Sequence, residues 1–255
     1  MSYPFNREQE IEACAAFLQS ASKIAVLSGA GISTESGIPD FRSSNGLWQK
    51  EEVREAITRS CFSRQPERFY YYFSQLFLSW TDIKPNQGHL ALADLENEQG
   101  KWVGIATQNI DGLHQVAGSK QVIELHGNLR HAVCQKCGTA KVMNGIKEKL
   151  ENKMIPLCDC GGILKPKVVL FGDPLDMQEF RKAQIWMAQA DLIFCLGTSL
   201  TVTPANTLLQ HRRHDSKLVI INLEATPYDR EADYVFHAKV GEILPVIVQK
   251  SQTGD

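Results

Sequence analysis

Four cysteines, one histidine and an amide beside a carboxylate are the residues of this chain best suited to chemistry. Cys134-Gln-Lys-Cys137 and Cys158-Asp-Cys160 form two knuckles separated by twenty residues. Four thiolates close a tetrahedral zinc site, whereas four free thiols crowded into a polar loop would be a liability. The second knuckle has one intervening residue where two are usual, so its backbone must turn differently, and Gly161-Gly162 supply that freedom. With every ligand position filled by protein, the metal is expected to be structural and to supply folding energy that residues 131–167 lack.

The stretch "TQNIDGLH", 107–114, sets Asn109 and Asp111 two residues apart, facing one way in an extended chain. A turn could use both as caps, with Gly112 completing it, but a turn accounts less well for the preceding Gln108. His126-Gly127 closes the apolar run "VIELHG". An imidazole there is a candidate general base, because its ordinary pKa lies near working pH. Gly29-Ala30-Gly31-Ile32-Ser33 begins like a dinucleotide loop, in which missing side chains let backbone N–H groups approach a pyrophosphate. The third glycine of G-x-G-x-x-G is absent, since position 34 is Thr34. The acid expected about twenty residues on would be Glu51 or Glu52, which read as solvated helix residues. Asn222 and Glu224, at the end of "KLVIINLE", are replacement candidates for a ribose, and Thr198 and Ser199 offer hydroxyls to phosphate or serve as turn caps.

These residues need a frame that gathers them, and the apolar runs provide it. "KIAVLSG", "WVGIATQN", "VIELHG", "KVVLFG", "LIFCLGTS", "KLVIINLE" and "DYVFHA" are short and nearly continuously hydrophobic, as in strands buried on both faces of a parallel sheet. Helical patterns such as "REQEIEACAAFLQSA" and "FRKAQIWMAQA" alternate with them, which predicts a doubly wound α/β sheet with ligands beyond the strands' carboxyl ends. Two stretches break the alternation. Residues 43–85 read as a helical insertion whose aromatics pack together, and 131–167 as the cysteine-bearing insertion.

The chain has 255 residues, 43% of them hydrophobic, enough for a substantial core. A net charge of −2 offers no bulk attraction to nucleic acid or anionic lipid. The first residues lack a sustained apolar stretch, so neither a signal peptide nor a membrane span is expected, and the location is expected to be cytoplasmic. Seven cysteines, four of them clustered, fit a reducing compartment, with Cys14, Cys61 and Cys195 as buried thiols.

Taken in order, "GAGISTESGIPDFR", "KPNQGH", "TQNIDGLH", "HG", the knuckles, "GTSL", "NLE" and "VGEIL" resemble the sirtuins, NAD-dependent protein-lysine deacylases, in their bacterial type. The resemblance implies a Rossmann-like NAD-binding domain (1–42, 86–130 and 168–255) and a small domain made of a helical module (43–85) and a zinc ribbon (131–167). It places Gly29, Ala30, Gly31, Thr34, Phe41 and Arg42 around NAD. Gln108, Asn109, Ile110 and Asp111 would surround the nicotinamide and its ribose, with Asp111 recognising the carboxamide. Gly197, Thr198, Ser199, Asn222, Glu224 and Val240 would line the adenosine half. His126 would be the base, acting with Asn109 and Asp111, and the four cysteines would hold one structural zinc. Val169, Phe171 and Gly172 would pair with an acetylated-lysine substrate by strand addition. The products would be free lysine, nicotinamide and O-acetyl-ADP-ribose, with no direct role for nucleic acid or membrane. ADP-ribosyl transfer or NAD hydrolysis could use the same pocket, and a non-catalytic NAD sensor or scaffold is a third reading. The base and the Asn109/Asp111 pair argue against that last one.

Two departures stand out. "FGDPLD", 171–176, replaces the Phe-Gly-Glu-x-Leu-Pro typical of the family, which bears on peptide selection. Tyr70-Tyr-Tyr-Phe73 stands where succinyl- and malonyl-selective members carry Tyr-x-x-Arg, so a neutral acyl group is expected.

Overall fold

The computed structural model describes residues 7–40, 49–77, 80, 82–152 and 154–253. Strands β1 (Lys23–Ser28), β2 (Trp102–Thr107), β3 (Gln121–Glu124), β7 (Leu192–Leu196), β8 (Lys217–Ile221) and β9 (Tyr234–Phe236) form one parallel sheet in the order β3-β2-β1-β7-β8-β9. The residues of β1, β2, β7 and β8 are buried on both faces, which is why those runs read as continuous rather than alternating. One face is covered by α1 (Arg7–Ser20), α5 (Gln87–Asn97) and α9 (Val240–Thr253), the other by α8 (Met177–Gln189). Order reverses at β1/β7, the topological switch point of such a sheet. Register aligns Ser28 with both Thr107 and Leu196, and Leu196 with Ile221. Residues 29, 108, 197 and 222 therefore emerge side by side.

The run "KVVLFG" does not join this sheet. Only Lys167 and Val168 of it lie in a strand, β6 (Leu164–Val168), which pairs antiparallel with β4 (Gly127–Cys134). With β5 (Ala140–Val142) these make a separate three-stranded sheet. Val168 and Leu170 are buried, but against aromatic residues of the helical insertion rather than between helix layers. Strands β4 and β6 also run across the boundaries expected at 130/131 and 167/168.

The helical insertion contributes α2 (Glu51–Ala56), α3 (Arg59–Arg64) and α4 (Pro66–Phe77). Phe62, Phe69, Tyr70, Phe73 and Phe77 stack edge to face or tilted and share a core with Leu150 of α7 (Asn144–Glu151). The aromatics are packing residues, as expected, and they bind the two insertions into one small domain. Cys14, Cys61 and Cys195 are buried thiols. Among the described residues no helix is long and apolar enough to cross a membrane.

Candidate active site

A cavity of about 620 Å³ opens beyond the carboxyl ends of the strands, between the sheet and the small domain. Its wall includes Gly29, Ala30, Gly31, Thr34, Gln108, Asn109, Ile110, His126, Val169, Phe171, Gly172, Gly197, Thr198, Ser199, Asn222, Glu224 and Val240. Sequence-distant candidates thus converge on one space. Asp111 is not among its lining residues, and Phe41 and Arg42 lie outside the described residues.

The first loop is not an open loop. Ala30–Ser36 winds as a 3-10 helix ended by Gly37 at φ 91°. Nor do its glycines present free amides. Gly29 N donates to Leu196 O at 3.0 Å and Gly31 N to Gly197 O at 2.8 Å. A Cβ on Gly29 would come within 2.8 Å of Gly197 O, and one on Gly31 within 2.7 Å of Gly197 Cα. The glycines are required because two backbones cross there, and the amides of Gly29 and Gly31 are taken up by that crossing. The hydroxyls beside the crossing remain. Thr198 Oγ1 accepts from Gln108 Nε2 at 2.9 Å, and Ser199 Oγ lies 2.8 Å from Thr201 Oγ1. Asn222 starts a turn after β8, with its side-chain amide donated to Glu224 O at 2.7 Å.

Beside the crossing, Asn109 is nearly enclosed and its Nδ2 donates to Gly29 O and Ser33 Oγ, both at 3.1 Å. Ser33 Oγ donates in turn to Asp111 Oδ2 at 2.8 Å, while Leu113 N donates to Oδ1 at 2.9 Å. Burial pushes the Asp111 carboxyl above the ordinary carboxylate range, and the Leu113 and Ser33 hydrogen bonds pull it partly back. Ser33, wholly buried, is a supporting residue whose hydroxyl joins Asn109 to Asp111, and nothing in the spacing of the loop's glycines signals that role.

His126 occupies the crossing from the large sheet to the small one. Its carbonyl accepts Val169 N at 2.8 Å, and Gly127 next to it has φ 77°, with no room for a Cβ beside Lys167 O. His126 Nδ1 lies 3.0 Å from Gln108 O, and a carbonyl can only accept, so the proton resides on Nδ1 and Nε2 is the basic nitrogen.

The cavity's small-domain end is apolar, with Ile57, Phe77, Val168 and Leu170 on its wall. Tyr70 and Phe73 do not reach it. Both are buried in the aromatic core, with Tyr70 OH donated to Leu164 O. In the "FGDPLD" segment Asp173 closes its own turn, accepting Leu170 N at 3.1 Å and pairing with Lys165 Nζ at 2.8 Å. Asp176 caps α8 by accepting Gln178 N and Glu179 N.

The sulfurs of Cys134, Cys137, Cys158 and Cys160 all lie within 4.8 Å of one another. Cys134 and Cys160 are 3.5 Å apart, Cys137 and Cys158 3.8 Å. A tetrahedral ion with Zn–S bonds of about 2.3 Å sets sulfurs roughly 3.8 Å apart, so the four residues fit one zinc. Gly161 turns at φ 78°, and a Cβ on Gly162 would meet Cys134 Sγ at 2.6 Å. The C-x-C spacing therefore depends on both glycines, one for its backbone angle and the other for lack of space.

Residues 29–204 match the Sir2 family. An NAD-dependent protein deacetylase of Sulfolobus acidocaldarius is 41% identical over 247 residues, covering 96% of each chain. NAD-dependent protein deacetylase 1 of Pyrobaculum aerophilum is 40% identical, covering 98% of each. A Sir2 enzyme with a deacetylated p53 peptide and 3'-O-acetyl-ADP-ribose superposes at a TM-score of 0.88, with 37% identity, over 94% of this chain and 98% of that one. A Sir2 complex with a p53 peptide and NAD+ superposes at 0.83, with 37% identity, over 93% and 97%. With the fold, the cavity and the cysteine cluster all in agreement, this chain belongs to the Sir2 family.

Proposed function

We propose that this chain is an NAD-dependent protein-lysine deacetylase that releases nicotinamide and transfers the acetyl group to ADP-ribose. The carrying observation is one cavity whose wall brings together the Gly29/Gly197 crossing, Asn222, Asn109 and His126. NAD supplies a glycosidic bond whose cleavage makes the ribose carbon electrophilic toward the acyl oxygen. The crossing of Gly29, Gly31 and Gly197, too tight for any Cβ, fixes the two strand ends that form this part of the cavity wall. Thr198, Ser199, Asn222 and Glu224 would hold the adenosine half, and Ala30, Thr34, Gln108, Asn109 and Ile110 the nicotinamide half.

His126 Nε2 takes a proton from a ribose hydroxyl, so that this oxygen can attack the acyl carbon. Asn109, pinned by Gly29 O and Ser33, fixes the floor on which the reacting atoms meet. The enclosing wall of Ile57, Phe77, Val168 and Leu170 excludes water, which would otherwise intercept the cation-like ribose. Asp111 does not line the cavity and would act through Ser33, which it holds against Asn109, and through the turn at Leu113. The same apolar wall offers no counter-charge to an acidic acyl group, which favours acetyl and other neutral acyls. The substrate is an acetylated lysine within a protein segment that pairs with Val169–Gly172.

The test is to mix the zinc-loaded protein with NAD and an acetyl-lysine peptide, then follow nicotinamide and peptide mass. Release that requires the peptide, with loss of the acetyl group, is expected. Release without peptide would mean hydrolysis, ADP-ribose carried on the peptide would mean transfer, and no turnover would overturn both enzyme readings. His126→Ala should lower deacetylation by about a hundredfold or more while NAD still binds; a variant as fast as wild type would remove His126 from the role of base.

A further inference from the structure

Two histidines that take no part in the chemistry above lie behind the cavity. His89 is 0% exposed and His114 1%. Their rings meet edge to face with centroids 4.9 Å apart. Each has one nitrogen engaged, and the partners fix the tautomers. His89 Nδ1 faces Asn86 N at 3.4 Å in the cap of α5. A backbone N–H only donates, so Nδ1 accepts and the His89 proton is on Nε2. His114 Nε2 lies 2.9 Å from Ser28 Oγ, which gives its own proton to Thr107 Oγ1 at 2.8 Å. Ser28 therefore accepts from His114, placing that proton on Nε2 as well and leaving Nδ1 a bare lone pair. Burial lowers both imidazoles' pKa values, keeping the rings neutral.

One donor, His89 Nε2–H, and one acceptor, His114 Nδ1, are left. Both atoms are buried with no hydrogen-bond partner among the described residues. Leaving each orphaned would forfeit the hydrogen bond it makes to water in the unfolded chain with nothing in return. An unmatched donor and an unmatched acceptor on touching rings are complementary. We propose that His89 Nε2–H bonds to His114 Nδ1 through one enclosed water, and that the pair positions Asn109 for the reaction.

The chain of contacts gives the pair something to position. Thr107 Oγ1, at its inner end, accepts Asn109 N at 3.1 Å. At its outer end Asn86 donates its side-chain amide to Ile32 O at 2.7 Å and Ser36 Oγ at 2.9 Å, holding the 3-10 turn of the first loop. The pair thus adds a second link, from the far turn of the loop to the backbone of Asn109, beside the direct bonds from Asn109 to Gly29 and Ser33. His89 and His114 touch no substrate; they are positioning residues that act through Asn86, Ser28 and Thr107. Their kinetic consequence rests on the deacetylase reading, whereas the hydrogen bond does not.

The experiment has two arms for that reason. In the first, imidazole 15N–1H spectra of the zinc-loaded full chain at pH 7 report tautomers. Both rings should be protonated on Nε2, with the His89 Nε2 proton protected from exchange. A His114 protonated on Nδ1, or a His89 proton exchanging as freely as an exposed imidazole's, would overturn the bond. In the second arm, His114→Phe should lower peptide-dependent kcat by about ten- to a hundredfold, as expected when a reacting group is slightly misplaced, with peptide KM within about twofold. His114→Gln, whose side-chain N–H can still reach Ser28, should recover much of that loss. A folded His114→Phe variant with wild-type kcat would overturn the positioning role. If wild type itself shows no peptide-dependent turnover, the deacetylase reading falls, and the spectra still decide the bond.

Discussion

Burying a neutral histidine links stability to pH with a definite sign. Burial lowers the His89 pKa from 6.5 to about 4. Above pH 6.5 the ring is neutral in both folded and unfolded chains, and its environment costs nothing extra. Between 6.5 and 4 the unfolded chain binds a proton that the folded one refuses, so stability falls as pH falls, and the loss levels off below about 4. At about 1.4 kcal/mol per pH unit, the gap from 6.5 to about 4 is worth ~3 kcal/mol. His114, enclosed beside it and shifted the same way by burial and by His89, adds to the loss. Carboxylates titrate over the same range with mixed signs. Burial raises the Asp111 pKa, so it favours the folded state as pH falls, whereas hydrogen bonds from Lys23 N and Ser22 N lower that of Asp191. A comparison between wild type and His89→Gln cancels both, since neither is altered. Urea unfolding of the zinc-loaded protein at pH 7 and pH 4.5 is the assay. The wild-type midpoint should fall by about 1 M more than the variant's, for a slope of about 3 kcal/mol per M. Parallel loss in the two proteins would show that His89 is protonated on the folded chain and would refute the neutral, buried assignment.

Removing the metal should unfold the cysteine module, because Ile146, Leu164 and two cysteines make most of its small core; one zinc per chain by metal analysis, lost with folded protein in Cys137→Ser, is the expected result, and a stable metal-free variant would contradict it. Gly197→Ala places a Cβ within 2.2 Å of Ile32 N at φ 57°, so it should lose at least ~2 kcal/mol and weaken NAD binding. Gly100→Asn, at φ 66° with nothing within 4 Å, should cost under about 1 kcal/mol, and equal losses in the two variants would discredit the crossing. Asp173→Asn weakens the pair with Lys165 next to the segment proposed to pair with the peptide, and a loss of about 1 kcal/mol should raise peptide KM roughly fivefold; an unchanged KM would separate that pair from peptide binding.

Six of the seven apolar runs became strands of the parallel sheet, and the seventh shows what such a run cannot say. "KVVL" is as apolar as its neighbours because Val168 and Leu170 are buried too. Hydrophobicity reports burial, not the partner, so it does not distinguish a strand between helix layers from one packed on aromatic rings. The cysteine knuckles were legible for the opposite reason, since thiolate chemistry leaves few uses for four sulfurs at that spacing. His89 and His114 stand within "KPNQGH" and "TQNIDGLH", and neither motif discloses their role. A histidine's function here depends on which nitrogen meets which hydroxyl, and that is set by helix packing across α5 and the short helix α6 (Leu113–Ala117), not by local sequence.

The missing third glycine of the first loop is explained by the crossing of β1 and β7. In G-x-G-x-x-G the last glycine allows a helix to pack closely on the strand that precedes it. Here the close approach is made between different strands. Gly197, after β7, lies against Gly31 and Ile32 and itself adopts the left-handed φ of 57°. Position 34 is thereby released from that constraint, and Thr34 uses its hydroxyl to bond Gly31 O at 2.9 Å, tightening the 3-10 turn while facing the cavity. A third glycine at 34 would lose that bond and gain no needed space. Thr34→Gly should therefore loosen the loop and weaken NAD binding without approaching the damage done by Gly197→Ala, and a Thr34→Gly variant that binds NAD more tightly would show that the loop is a fingerprint lacking its glycine after all.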